Sequence, residues 1–258
     1  MNMDCKDKIT RIIAKLDIKG DNLIKGMHFE GIRVIGDAHS YANKYYLDNA
    51  DEIIYIDSVA SLYGRNISID HLKRTVDNIF IPVTVGGGIR SVKDIENVLN
   101  AGGDKVAINS AAIRSPELIS DAVRIFGSQC IVGSIQTKQI NSSSWEALID
   151  GGRQKTGVNV VEWSKILVDL GVGEILLTSV DKSGVKKGYD TEIVKQVSTS
   201  VSVPIIASGG EGSIDDIIDV VIHGAVDAVA IASVLHFDFL SITRIKELMQ
   251  HNGIDIRF

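Results

Sequence analysis

Cysteine is scarce in this chain: there are two in 258 residues, Cys5 near the start and Cys130 in an apolar run. Two are too few for a disulfide framework, and their positions do not give metal-ligand spacing. The six histidines, His28, His39, His71, His223, His236 and His251, also lack mutual metal spacing. Each is expected at the surface or in packing, and neither a metal nor a cofactor is expected. A basic surplus is missing as well. The 27 Lys and Arg against 33 Asp and Glu leave a net charge of -6. That argues against nucleic-acid binding through a basic surface, while a local basic patch can still hold a small phosphate ligand. No apolar run reaches membrane-span length, and the opening MNMDCKDKITR is polar where a signal peptide is apolar. The expectation is a cytoplasmic protein that does not engage a membrane. There is no Pro-rich linker or low-complexity tract to divide the chain.

What is present is alternation. Eight short apolar runs recur: RIIAKLDI, DEIIYIDSV, IPVTVGGGI, KVAINSA, CIVGSIQ, EILLTSV, VPIIASGG and AVAIAS. Most are β-branched and uniformly apolar, as parallel strands buried on both faces require. Between several lie segments of helical period, such as SVKDIENVLNAG, SPELISDAVRIFG and TEIVKQVSTS, often closed by Gly. Ser115-Pro116 reads as a helix start with Ser as the cap. Eight strand-helix units in 258 residues predict an α/β fold, a closed (β/α)8 TIM barrel spanning 1–258 as one domain. The rival, an open doubly wound sheet, lacks its first-strand glycine fingerprint here.

The halves resemble each other. With Pro82 set against Pro204, IPVTVGGGIRSVKDIENVLNAG aligns with VPIIASGGEGSIDDIIDVVIHG. KVAINS matches AVAIAS with one residue inserted, DEIIYIDS matches GEILLTSV, and RIIAKLDIK matches CIVGSIQTK. The barrel is therefore read as two similar half-barrels, and doubled halves imply doubled ligand sites. Gly88, Asn109 and Ser110 end the third and fourth strands. Gly210 and Ser233 end the seventh and eighth, and Gly184 lies in the loop after the sixth. Glycine lets backbone N–H groups approach an anion, and a Ser hydroxyl adds a donor. Two phosphate positions across the barrel mouth are predicted. Gly88→Asp is expected to weaken ligand binding more than it weakens the fold.

The segments RIIAKLDIKG, LIKGMHFE, YIDSVAS, TVGGGIRS, DKVAINSAA, FGSQ, GEILLTSVDKSG, GYD and PIIASGG, in order over nearly the whole chain, resemble the cyclase subunit of imidazole glycerol phosphate synthase. The resemblance implies a barrel that takes ammonia from a glutaminase subunit, as a heterodimer. A substrate with two phosphates is then converted into imidazole glycerol phosphate and an aminoimidazole carboxamide nucleotide, a lyase-type step of histidine biosynthesis. It implies Asp17 as the catalytic acid at the end of the first strand. Lys25, Asp57 and Thr178 then line the substrate cleft. Gly88, Asn109 and Ser110 hold one phosphate, and Gly184, Gly210 and Ser233 hold the other. Arg11, Glu52, Lys105 and Glu174, each at a strand start, match the charged gate for ammonia. Asp104 matches a residue at the glutaminase interface.

Three positions depart from the family pattern. By the internal repeat Asp17 pairs with Gln136, where family cyclases carry an aspartate. Gln cannot take up a proton at neutral pH. Ser183 stands where an aspartate is usual and is expected to bind substrate, lining the same cleft as Gln136. Lys15 replaces a common cysteine and alternates with Asp17 on one face, where it could pair with Glu52 or Glu174. A retained gate with a broken acid/base pair also fits a paralogue. Such a barrel would deliver ammonia for glycosyl amidation or amidine formation in surface-polysaccharide or nonulosonic acid synthesis. A third reading is a non-catalytic scaffold that activates a glutaminase.

Overall fold

The computed structural model describes residues 8–258, so Cys5 and most of the polar opening segment lie outside the described residues. The chain begins with strand β1 (Arg11–Lys19), followed by a hairpin of β2 (Asn22–Met27) and β3 (Glu30–Asp37) and by helix α1 (Ala38–Leu47). Next come β4 (Glu52–Asp57), α2 (Ile69–Val76), β5 (Val83–Gly86), α3 (Val92–Asn100) and β6 (Lys105–Ile108). Two helices follow, α4 (Ser110–Arg114) and α5 (Glu117–Phe126). The second half opens with β7 (Ile131–Asn141), a hairpin of β8 (Ser144–Ile149) and β9 (Gln154–Asn159), and α6 (Val160–Asp169). It continues with β10 (Glu174–Ser179), α7 (Thr191–Ser198), β11 (Ile205–Ser208) and α8 (Ile214–Gly224). It ends with β12 (Ala228–Ile231), α9 (Ser233–His236) and α10 (Ile242–His251).

Eight of these strands pair in parallel in the order β1-β4-β5-β6-β7-β10-β11-β12, and β12 returns to β1. This is the closed (β/α)8 barrel expected from the eight apolar runs, and every run supplies one strand. The core has two parts. An inner layer is built from Ile13, Ile54, Ala107, Val132, Leu176, Ile206, Ala228 and Ala230. A larger layer, including Ile12, Ile53, Val106, Ile175 and Val229, lies between the strands and the helices. Both faces of each strand are thus buried, which accounts for the continuous apolar runs. Truncating an inner residue such as Ile54 to Ala is expected to cost about 2–5 kcal/mol.

The half-barrel repeat extends to the helix caps. Ser91 caps α3 by accepting from Asp94 N, and Asp94 turns back to accept from Arg90 N at 3.0 Å. In the second half Ser213 and Asp216 do the same, with Asp216 accepting from Gly212 N at 3.0 Å. Both ends of the cap satisfy N–H groups that the first turn leaves free.

Two expectations change. The two hairpins were not foreseen as strands; the segment from Asn141 to Ser144 makes the turn between β7 and β8. Ser115 does not cap α5. It closes α4 instead, its N–H bonding to Ala111 O at 2.8 Å, and α5 starts after Pro116 without a side-chain cap.

Candidate functional site

Strand alternation decides which side chains enter the barrel. On β1 the inward set is Ile13, Lys15 and Asp17, which rises from the apolar layer to the C-terminal mouth. On β7 the repeat partners are Val132, Ser134 and Gln136. Strands β1 and β7 are four places apart in the ring of eight, so Asp17 and Gln136 stand on opposite walls.

Asp17 is 6 % exposed and accepts a hydrogen bond from the Ser58 hydroxyl at 2.9 Å. Lys15, 4 % exposed, places its ammonium 3.5 Å from the Asp17 carboxylate. It does not reach Glu52 or Glu174, which stand lower, at the strand starts, where Glu52 pairs in register with Ile13 rather than with Lys15. Burial works to raise the Asp17 carboxyl, but Lys15, Lys25 and the Ser58 hydroxyl outweigh it and hold the group below its ordinary value. Burial pushes the Lys15 amine down, with Asp17 opposing.

Asp17, Lys25, Phe29, Ser58, Ser183 and Arg153 line one cleft. Gln136 lines a second, larger cleft of about 290 Å³ with Gly88, Asn109, Ser110, Arg90 and Arg114. The two clefts share Ser58 and Gly151. Gln136 and Ser183 therefore stand on adjoining clefts rather than in a single one. Gln136 pairs in register with Thr178, which in turn pairs with Ser208. The Gln136 amide oxygen is buried without a partner. Asp57 is in the larger cleft, but Arg65 holds its carboxylate at 2.7 Å, and the Val59 N–H also donates to it.

The first position expected to hold phosphate is a pair of loops. Asn109 donates to Leu148 O at 3.3 Å, and the Ser110 hydroxyl accepts from Asp150 N at 3.0 Å. Gly88 has φ +72, and a Cβ there would lie 2.2 Å from Arg65 O. Any side chain strains this turn, so Gly88→Asp damages the fold as well as the site, contrary to the expectation from sequence.

The second position differs. Gly210 (φ +128) and Gly184 (φ +75) again press against backbone carbonyls, of Gly188 and Gly26. Here, however, the Glu211 carboxylate accepts from Ala232 N at 3.0 Å and Ser233 N at 2.8 Å, and Glu211 is 2 % exposed. Glu211 was missed from sequence. The signal was available in the repeat, where its partner is Ile89.

At the opposite end of the barrel the four strand-start charges form a closed ring. Arg11 bonds Glu52 at 2.5 Å and also bonds Glu174. Lys105 bonds Glu52 at 2.9 Å and Glu174 at 3.1 Å. Two cations and two anions satisfy one another, which offsets the cost of partial burial. Arg11, Lys105 and Glu174 also line a depression on this face. Asp104 is exposed beside Lys105, and its carboxylate accepts from Val83 N at 2.8 Å. Among the described residues no helix is long and apolar enough to cross a membrane, and no cluster of three His, Cys, Asp or Glu is placed to hold a metal ion.

The family model for histidine biosynthesis proteins matches residues 11–241. The chain is similar to the imidazole glycerol phosphate synthase subunit HisF of Legionella pneumophila. They are 57 % identical over 206 residues, 80 % of this chain and 97 % of that protein. It is also similar to the protein of the same name from Alkaliphilus metalliredigens (strain QYMF). That match is 44 % identical over 247 residues, 96 % of this chain and 98 % of the relative.

Proposed function

The chain belongs to the histidine biosynthesis protein family, among its imidazole glycerol phosphate synthase cyclase subunits, and from that premise we propose how its barrel works. A glutaminase subunit docks on the N-terminal face of the strands, near Asp104, and the two form a cytoplasmic heterodimer. Residues 1–258 act in it as one barrel domain. Ammonia from the partner passes the ring of Arg11, Glu52, Lys105 and Glu174. It then crosses the inner layer of Ile13, Ile54, Val132, Leu176 and Ile206. Neutral ammonia enters such an apolar space far more readily than ammonium does.

At the C-terminal mouth ammonia meets the substrate between Asp17 and Gln136. Gly88, Asn109 and Ser110 hold one phosphate of the family's two-phosphate substrate. The loops of Gly184, Gly210 and Ser233 face its other end, and Lys25, Asp57, Thr178 and Ser183 frame the middle. Asp17 moves protons during ring closure and lyase-type cleavage, giving imidazole glycerol phosphate and the aminoimidazole carboxamide nucleotide. Gln136 orients the substrate through its amide.

The observation that carries this reading is the closed charge ring beneath an apolar layer, with the buried Asp17 carboxylate above it. The relatives' names favour neither sugar amidation nor a purely scaffolding role. The experiment is a turnover assay with the two-phosphate substrate and an ammonium salt, with no partner present. Imidazole glycerol phosphate formed at any rate above background supports the reading. None formed, by the wild type or by Gln136→Asp, counts against it.

A further inference from the structure

The inward face of β1 rises from Ile13 in the apolar layer through Lys15 to Asp17 at the mouth. Ammonia that crosses the layer therefore meets the Lys15 amine before it meets Asp17. Lys15 is 4 % exposed, and its nitrogen lies 3.5 Å from the Asp17 carboxylate and 5.7 Å from the centre of the Phe29 ring. Asp17 and Phe29 both line the smaller cleft, so the amine stands at its floor. Across the barrel the repeat sets Ser134 against Lys15, and Ser134 lines the larger cleft. That cleft thus extends down to the level of the amine.

The contact with Asp17 is looser than that of Lys105 with Glu52 at 2.9 Å, so it does not lock the nitrogen in place. Burial favours the neutral amine, against the pull of Asp17. A desolvated lysine beside a reaction cleft is suited to attack carbonyl carbon. Ammonia is a nucleophile as well, and it needs an electrophilic carbon at the same place.

We infer that Lys15 is a nucleophile of this site, which condenses with a carbonyl group of the phosphorylated substrate and then surrenders that carbon to ammonia. In the first step one ammonium and one carbonyl become one iminium and one water: the nitrogen bonds to carbon, and two of its protons leave with the oxygen. In the second step ammonia adds to the iminium carbon and the bond to Lys15 breaks. The lysine departs as an ammonium, and the substrate keeps a neutral imine. A positive charge stays beside Asp17 in both forms of Lys15, so the buried carboxylate remains compensated. The inference rests on the delivery of ammonia proposed above, but its test needs neither partner nor ring closure.

The test incubates the full chain with ribulose bisphosphate, an open-chain ketone with a phosphate at each end, and traps any iminium with cyanoborohydride. Peptide mass spectrometry then reads the reduced adduct on each lysine. The wild type is expected to carry it on Lys15 at least about tenfold above an exposed lysine such as Lys93. Ammonium salt added before the reductant should lower the Lys15 adduct at least about tenfold and leave Lys93 little changed. Both readings are made on the wild type, so the folding of a variant does not enter. Adduct spread evenly over the lysines, or absent from Lys15, would overturn the inference, as would a Lys15 adduct that ammonium leaves unchanged. Turnover with ammonia by a chain whose Lys15 stays unmodified would sink the inference alone. A Lys15 adduct that yields to ammonium, in a chain without turnover, would support it and sink the cyclisation instead.

Discussion

The Lys15 ammonium lies 3.5 Å from the Asp17 carboxylate, two residues along the same inner face of β1, and water reaches neither to any extent. The pair makes Asp17 a poor proton donor, because the amine stabilises its ionised form. It also ties the strand that carries the reaction to a charge that must stay compensated. Lys15→Met should therefore destabilise the fold by about 3–5 kcal/mol, the usual result of stranding one member of a buried pair. Urea unfolding of Lys15→Met, Asp17→Asn and the double variant checks this. The double variant should lose clearly less than the sum of the two single losses.

Gln136 sets the second expectation. Ring closure and bond cleavage move protons at two places, and the wall opposite Asp17 offers an amide that carries none. Turnover with free ammonia should fall on the order of 10²-fold or more below that of a family cyclase with an aspartate there. Gln136→Asp should recover part of the loss. Adding Ser183→Asp should recover more only if the two adjoining clefts act together. Steady-state rates for the four proteins decide, and full cyclase activity in the wild type would refute the argument.

Lys105 bridges both carboxylates of the ring, so Lys105→Ala leaves Arg11 alone between Glu52 and Glu174. Amination driven by glutamine through the partner should become uncoupled from glutamine hydrolysis. Activity with ammonium salt should stay within a few-fold, since free ammonia can also enter from the open mouth. A parallel loss of both activities would rule out the gate. Asp104→Asn keeps the acceptor for Val83 N and should weaken partner association while leaving the melting temperature nearly unchanged.

His236 predicts an acid-side loss of stability. Burial is the main reason its pKa falls to about 3, and its Nδ1 is hydrogen-bonded to the Tyr45 hydroxyl at 2.6 Å. Between the ordinary value of about 6.5 and that lowered one, the unfolded chain binds a proton that the folded chain refuses. Stability from this group is therefore complete above about pH 6.5 and declines as the pH falls toward 3, by about 5 kcal/mol at the limit. His236→Gln should flatten the unfolding free energy across that window. An unchanged slope would show that other groups set it.

The barrel was legible in the sequence because strands buried on both faces leave continuous apolar runs, and their number and order could be read directly. The ring was expected because Arg11, Glu52, Lys105 and Glu174 all match the charged gate of the resembled family; the repeat itself relates only Glu52 and Glu174. The hairpins were not. β9, reading QKTGVN, has no apolar period, and the short β-branched run of β3, EGIRVIGD, lies largely exposed and so marks no core strand. Lys15 was placed on the inner face by alternation, but alternation gives no depth, and its partner proved to be the nearest inward neighbour on its own strand. Glu211 was passed over, although the repeat sets it against Ile89; its contact with the Ala232 and Ser233 amides is what the structure adds.

Barrel closure also bears on self-association. Within the closed ring every strand has two neighbours, so the barrel offers no template for another chain's backbone. The two hairpins bring free edges back, at β3 and β9, both beside the mouth. Each is blunted: β3 carries Glu30, Arg33 and Asp37, and β9 carries Lys155 and is broken by Gly157 at φ +74. Replacing Arg33 and Lys155 by Val would turn these margins into sticky strands. The fold would remain intact, but the protein would be lost to intermolecular pairing, starting at the rim where substrate must enter.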